Sequence, residues 1–125
     1  MNCPAELKYS KSHEWVRFEG GVAVVGISDF AQQSLGDLVF INLPQEGDAA
    51  VAGEAFGDLE SVKAVSDLIS PVSGTICGVN EDLLDAPEKL NEDPYGAWII
   101  KVETSGEQEE LLDAAAYEAH CAQEG

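Results

Sequence analysis

Lys63 stands near the middle of residues 57–75, between two extended-looking runs, 56–61 and 64–70. Two strands flanking Val62-Lys63 predict a β-hairpin with the lysine at its tip. No Asn-Gly or Asp-Gly pair occupies the tip, so the turn type is left unspecified. Pro71-Val-Ser-Gly74 is a further turn signal, since proline sets φ and glycine accepts φ > 0. A tip lysine has a plain reading as one more solvated surface residue. Its surroundings suggest more. The chain has six Lys and Arg against 24 Asp and Glu. Glu60 precedes Lys63 by three positions, Asp67 follows by four, and the small Ala64 is its direct neighbour. A lone amine on a protruding turn, among acidic and small residues, suits recognition by an enzyme that acylates it.

No other constellation competes with it. There is no supported Ser-His-Asp or Cys-His arrangement and no phosphate-cradling glycine loop, so no catalytic residue is expected. His13 beside Glu14 reads as a polar strand end rather than a base and its orienter. Cys3, Cys77 and Cys121 are odd in number and widely spaced. No pair has metal-ligand spacing, and His13 and His120 complete none, so no metal site is expected. Cys77 alternates within an apparent strand and is expected in the core. Three free thiols fit a reducing compartment.

The elements that must position Lys63 follow from the pattern. Residues 14–19 and 21–27 predict two strands around Glu19-Gly-Gly21. In the second, Val22, Val24 and Gly26 share one face and Ala23, Val25 and Ile27 the other, which makes it a central strand. Residues 28–36 predict a short helix capped by Ser28 and ended by Gly36 in the left-handed conformation, with Phe30, Ala31 and Leu35 on its apolar side. Residues 37–43 form the next strand, stopped by Pro44. Residues 45–48 turn, 49–52 are extended, and 75–80 follow the hairpin as a strand. Residues 81–90 predict a helical turn or two broken at Pro87, 91–96 a loop and 97–103 a strand. After a polar loop, Leu111, Leu112, Ala115, Ala116 and Ala119 predict an amphipathic helix over 109–122. Trp15 and Trp98 are expected in the core.

Short, closely spaced strands point to a sandwich or flattened barrel. One domain spans residues 1–125, which is ample for a modest core. A net charge of −18 argues against nucleic acid as a partner and excludes anionic membrane surfaces on the same ground. It favours solubility and steering toward basic surfaces. No apolar run reaches a membrane-spanning length and no secretory signal stands at the start.

Glu60-Ser-Val-Lys-Ala64, Ser66-Asp67 and Ser70-Pro-Val-Ser-Gly74 together resemble the lipoyl-lysine motif of the H proteins of the glycine cleavage system. Lys11-Ser-His-Glu-Trp15, Gly26-Ile-Ser-Asp-Phe-Ala31, Leu35-Gly-Asp-Leu-Val-Phe40, Leu43-Pro44 and Asn91-Glu-Asp-Pro-Tyr-Gly96 resemble the same family, in its order. The resemblance covers residues 7–120. Tyr95-Gly-Ala-Trp98 is shorter than the family's usual Tyr-Gly-x-Gly-Trp, which alters a loop and leaves the lysine unaffected.

The resemblance implies a mainly β fold, a lipoyl-domain-like barrel-sandwich hybrid with small flanking helices and a C-terminal helix. It places the lipoyl-binding core at residues 22–104. It implies (R)-lipoate joined through an amide to Lys63, and a carrier rather than an enzyme. The implied partners are glycine decarboxylase with pyridoxal phosphate, a tetrahydrofolate-dependent aminomethyltransferase, FAD-containing dihydrolipoamide dehydrogenase, and a lipoate ligase or lipoyl/octanoyl transferase. Ser12, Glu14 and Asp67 are expected to line a cleft for the loaded arm. Glu60 is expected to be read by the lipoylating enzyme, as are Gly47 and Gly74, flanking the lysine at matching turns. A monomer in the bacterial cytoplasm is expected, over a mature mitochondrial form.

Three related readings remain open at this level. A biotin carrier would usually place methionine on both sides of the lysine, where Val62 and Ala64 stand. A lipoyl domain of a 2-oxoacid dehydrogenase complex would be shorter and tend to carry Asp before the lysine. An H-like protein that relays lipoyl groups or serves another enzyme pair would share the same motif. A purely structural acidic protein is the remaining alternative.

Overall fold

The computed structural model describes residues 3–124; Met1, Asn2 and Gly125, which the expected domain span includes, lie outside the described residues. The chain runs β1 (Lys8–Tyr9), β2 (Glu14–Glu19), β3 (Val22–Ile27), α1 (Asp29–Leu35), β4 (Leu38–Asn42), β5 (Ala49–Ala50), β6 (Ala55–Ser61) and β7 (Val65–Ile69). It continues through β8 (Val72–Val79), α2 (Asp82–Asp85), α3 (Lys89–Glu92), β9 (Ile100–Gln108) and α4 (Ala114–Glu124). A six-stranded sheet has the order β1-β2-β3-β9-β8-β5, and a three-stranded sheet the order β4-β6-β7. All pairings are antiparallel. This is the mainly β, lipoyl-domain-like sandwich with short helices that the motifs implied.

The two sheets close on one core. Val16, Ala23, Val25, Ile76 and Val102 come from the larger sheet, Leu38, Ile41, Leu59 and Leu68 from the smaller. Each fully buried aliphatic side chain contributes about 1.5–3 kcal/mol relative to exposure. β3 lies inside the larger sheet, between β2 and β9, and both its faces are used. Ala23, Val25 and Ile27 enter the main core. Val24 faces a second cluster with Leu7, Tyr9, Trp15, Tyr117 and Cys121. Alternation on a strand with two apolar faces predicts this division. Gly26 belongs to the second face, where a Cβ would stand 2.5 Å from the Trp15 ring. The Tyr9 and Tyr117 rings stack at 4.5 Å and fasten α4 to β1.

α1 is capped as expected, with Ser28 Oγ accepting from the Ala31 N–H at 3.2 Å. Gly36 ends it at φ 79°, ψ −158°. That is a positive-φ extended conformation, open essentially to glycine alone, and not the left-handed helical one. Only Ala31 and Leu35 pack on the main core, while Phe30 turns to the second cluster. α2 and α3 stand on either side of Pro87.

Three further expectations are corrected here. Residues 104–108 are strand, not loop. β9 continues past the core because Thr104 pairs with Gly74 and Gln108 with Val72, backbone pairing that polar side chains do not announce. The C-terminal helix begins at Ala114. Leu112 is held extended by hydrogen bonds exchanged with Tyr9, at 2.7 and 2.8 Å, and Asp113 caps the helix through the Ala116 N–H at 2.8 Å. The helix therefore buries Tyr117 and Cys121, and Ala115, Ala116 and Ala119 face outward. Cys77 is exposed, whereas Cys121 is buried.

Candidate functional site

β6 and β7 pair from Ala55↔Ile69 to Glu60↔Val65, so the chain reverses over residues 61–64. The Ser61 N–H donates to Ala64 O at 2.8 Å. Ser61 Oγ accepts from the N–H groups of Lys63 and Ala64, at 3.3 and 3.1 Å. A serine hydroxyl thus does the work that Asn-Gly does in tighter hairpins. The Val62 N–H donates to Asp37 O at 3.0 Å, tying the turn to the start of β4. Lys63 is exposed, and among the described residues none forms an ion pair with it.

The support beneath the tip comes from α1, β4 and α3. A methyl at Gly36 would stand 3.2 Å from Lys63 Cε, so the lysine stem lies over the end of α1. Asn91 fixes that end. Its amide donates to Gly36 O at 2.8 Å and to Gln32 Oε1 at 3.2 Å, and its Oδ1 accepts from the Leu38 N–H at 3.0 Å. Ser61, Gly36 and Asn91 all lie in motifs that carry the resemblance, but the sequence marks only Gly36, as a helix end, and none of the three as support for the lysine. Ser61's position two residues before Lys63 was the available turn signal.

A groove of about 370 Å3 opens beside the turn that joins β1 to β2, lined by Ser10, Lys11, Ser12, Ile69, Glu109 and Glu110. The turn is closed by the Ser10 N–H donating to Glu14 O and the His13 N–H donating to Ser10 O. It places His13 at φ 77°, the positive-φ residue among the described non-glycines. Glu14, 2 % exposed, lies beneath the groove. Its Oε1 accepts from Ser10 Oγ at 2.7 Å and Ser12 Oγ at 2.5 Å, and its Oε2 from the Ile69 N–H at 3.2 Å. Burial pushes its carboxyl up to about 7, and the three donors only partly oppose that. Lys11 and Glu110 pair across the exposed rim at 2.8 Å.

The site residues expected from sequence divide accordingly. Ser12 and Glu14 meet at the groove. Asp67 is exposed on β7, opposite Asp58 in β6, and is not among the groove-lining residues. Glu60 lies at the tip end of β6, opposite Val65. Gly47 and Gly74 do not sit at matching turns beside the lysine, which corrects that expectation. Gly74 is inside β8, where a Cβ would meet Glu103 O at 2.1 Å, and Gly47 follows β4 with its N–H on Ile76 O at 2.7 Å. Both therefore adjoin the β5–β8 edge of the other sheet. Trp15 is fully buried, with its indole N–H on Pro94 O at 2.9 Å, while Trp98 is half-buried under Lys101. His13 and His120, far apart in the chain, have ring centroids 5.7 Å apart because α4 packs against the β1–β2 turn.

Comparison with known proteins agrees with this geometry along almost the whole chain. A family model described as Glycine cleavage H-protein matches residues 7–124. The chain is 56% identical over 119 residues to the glycine cleavage system H protein of Lachnoclostridium phytofermentans, covering 94% of each. It is 53% identical over 126 residues to that of Acidobacterium capsulatum, covering 99% of this chain and 98% of the other. A crystal structure of a glycine cleavage system H protein from Mycobacterium marinum superposes with a TM-score of 0.90 at 41% identity, covering 95% of this chain and 98% of that one. The two-sheet fold, the lysine hairpin and the sequence identity extend together over the same residues, and the chain belongs to the glycine cleavage H-protein family.

Proposed function

We propose that this chain is the lipoyl-bearing shuttle of glycine cleavage, with (R)-lipoate joined by an amide to Lys63 Nζ. The observation that carries the reading is an exposed lysine without an ion-pair partner, held on a side-chain-braced turn in an H-protein-family chain. Acylation removes its charge. Among the described residues no ion pair depends on that charge, so the modification breaks none of theirs. The bound dithiolane would supply a redox-active sulfur pair that carries an aminomethyl group from glycine decarboxylase to the aminomethyltransferase and electrons to dihydrolipoamide dehydrogenase.

This chain's own contribution is presentation and shelter. The tip keeps the attachment point clear of the body, and a short tether holds its end near a docked partner at roughly millimolar effective concentration. The groove beside Ser12 borders Ile69, about 13 Å along β7 from Val65. A lipoyl-lysine side chain has a length of that order, so Ser12, held from beneath by the buried Glu14, is suited to receive its end, with Asp67 along the route. Glu60, at the tip end of β6, is the candidate contact for the lipoate ligase or lipoyl/octanoyl transferase, with Gly47 and Gly74 shaping backbone at the edge of the other sheet. Family membership makes the chain a component of the system and not one of its enzymes. Among the described residues no helix is long and apolar enough to cross a membrane. The relatives named above are bacterial, and we assign a monomer in the bacterial cytoplasm.

Intact-mass measurement of protein made in cells supplied with lipoate, beside Lys63→Arg, tests the reading. A gain of one lipoyl group in the parent, absent from the variant, is expected. A biotin-sized gain would replace the cofactor. No gain, even with added lipoate ligase, would return Lys63 to an ordinary surface residue and remove the carrier assignment.

A further inference from the structure

We propose that His13, His120 and Glu124 form a binding site for a divalent ion of the zinc class, which staples α4 to the turn between β1 and β2. One ligand atom from each of the three lies within 4.8 Å of the others. His13 Nε2 is 2.6 Å from Glu124 Oε2, and His120 Nε2 is 3.6 Å from Glu124 Oε1. Ligand atoms around a tetrahedral zinc stand about 3.3 Å apart, given bonds of about 2.0–2.1 Å. The three side chains are thus close to ligating spacing, and rotation of the His120 and Glu124 side chains closes the remainder. His120 and Glu124 are one helical turn apart, on the same face of α4. In the metal-free chain His120 Nε2–H donates to Lys11 O at 3.1 Å, a bond that ligation exchanges for the ion.

The donor set selects the ion. Two imidazoles and one carboxylate suit zinc, cobalt, nickel or copper, whereas magnesium and calcium take oxygen ligands. Three protein ligands leave a coordination position for water.

A second observation concerns the shell behind His13. Its Nδ1 is 2.7 Å from Tyr117 Oη, which is 2.6 Å from Ser28 Oγ. Tyr117 and Ser28 are fully buried, so this relay fixes the ring. In the metal-free chain the Glu124 carboxylate can only accept, so His13 Nε2–H donates to it at 2.6 Å; a bound ion takes that proton's place, and the neutral ring then keeps its proton on Nδ1, donating to Tyr117 while the phenol donates to Ser28. Metal-ligating histidines are commonly oriented by such a hydrogen bond from the other ring nitrogen. The side chains of His13, His120 and Glu124 are 17%, 23% and 41% exposed, so the site is open to an ion from solvent. None of this depends on the lipoyl reading.

The full chain, purified without a metal-affinity step and stripped with EDTA, is titrated with cobalt chloride. Visible d–d bands are expected to saturate at one cobalt per chain and to vanish when zinc displaces it, and the midpoint of thermal unfolding is expected to rise with free zinc. His120→Ala and Glu124→Gln are each expected to weaken cobalt binding at least tenfold, because changes even behind a ligand cost about 10–100-fold. Glu118→Gln, an acidic control on the same helix, is expected to leave it unchanged. Glu124 lies in the exposed last turn, so its variant remains informative should His120→Ala unfold. Absence of the bands overturns the site. So does equal binding by the parent and Glu124→Gln, which would assign the ions to the acidic surface at large.

Discussion

The backbone N–H of Ile69 donates to Oε2 of Glu14 at 3.2 Å, so a buried carboxyl from the larger sheet is closed over by a strand of the smaller one. Two serine hydroxyls serve its other oxygen, yet desolvation wins and the folded carboxyl titrates at about 7 against an ordinary 4.5. The unfolded chain therefore loses its proton first. Stability from this group is fully present below pH 4.5, declines as pH rises toward 7 and is then flat. The decline is at most about 3 kcal/mol. In denaturant unfolding, the advantage of the parent over Glu14→Gln is expected to shrink by up to that amount across this window. A difference independent of pH would mean that the carboxyl is already ionised in the fold.

Ser61→Ala removes the acceptor for the N–H groups of Lys63 and Ala64 at an exposed turn, where water replaces it. A net loss of about 0.5–1.5 kcal/mol per hydrogen bond is the upper range for such a change. Global stability is expected to move by less than about 1.5 kcal/mol. Amide exchange at residues 63 and 64 is expected to accelerate, and the rate of Lys63 acylation by a lipoate ligase to fall. Unchanged exchange at both amides would show that the backbone bond between Ser61 and Ala64 holds the turn alone.

Much of this was legible in the sequence where side-chain pattern and backbone demand coincide. The two apolar faces of β3, the Ser28 cap and the lysine hairpin are such cases. Legibility failed where backbone pairing overrides side-chain pattern. Leu111 and Leu112 continue the helical spacing of α4, but Leu112 is captured by Tyr9 before the helix starts. Residues 104–108 are polar on both faces, and only their partners in β8 reveal them as strand. At the candidate site, the place of Lys63 at a hairpin tip was legible from the two extended runs that flank it. The approach of His13 to His120 depends on how α4 docks, which spacing along the chain does not encode. Glu14 was read as a cleft-lining carboxylate, and its burial followed from the second sheet arriving at Ile69.

Asn91 joins three pieces of backbone beneath the lysine tip. Asn91→Ala leaves the Leu38 N–H and Gly36 O without their partner. An unpaired buried polar group costs about 1–3 kcal/mol, and both sites are partly buried, so a loss in the lower half of that range is expected. Thermal or urea unfolding measures it. Asn91→Asp retains the acceptor for Leu38 but sets a carboxylate oxygen against Gly36 O and Gln32 Oε1, so it is expected to lose at least as much as Asn91→Ala at neutral pH. A smaller loss for Asn91→Asp would place the main contribution in the bond to the Leu38 N–H.

Gly36→Ala separates backbone strain from contact with the lysine. At φ 79°, ψ −158° an alanine is held where L-residues rarely go, at about 1–3 kcal/mol. Its methyl would also stand 3.2 Å from Lys63 Cε, but that neighbour is the far end of a flexible, exposed side chain and can move aside. Strain is thus expected to account for the whole loss. In a double-mutant cycle, Gly36→Ala should cost the same in the parent and in a Lys63→Ala background, with a coupling energy within about 0.5 kcal/mol of zero. The same variant should still accept a lipoyl group at Lys63, since the turn held by Ser61 is untouched. A large coupling would instead make Gly36 the seat of the lysine stem, required bare so that Lys63 can lie across it.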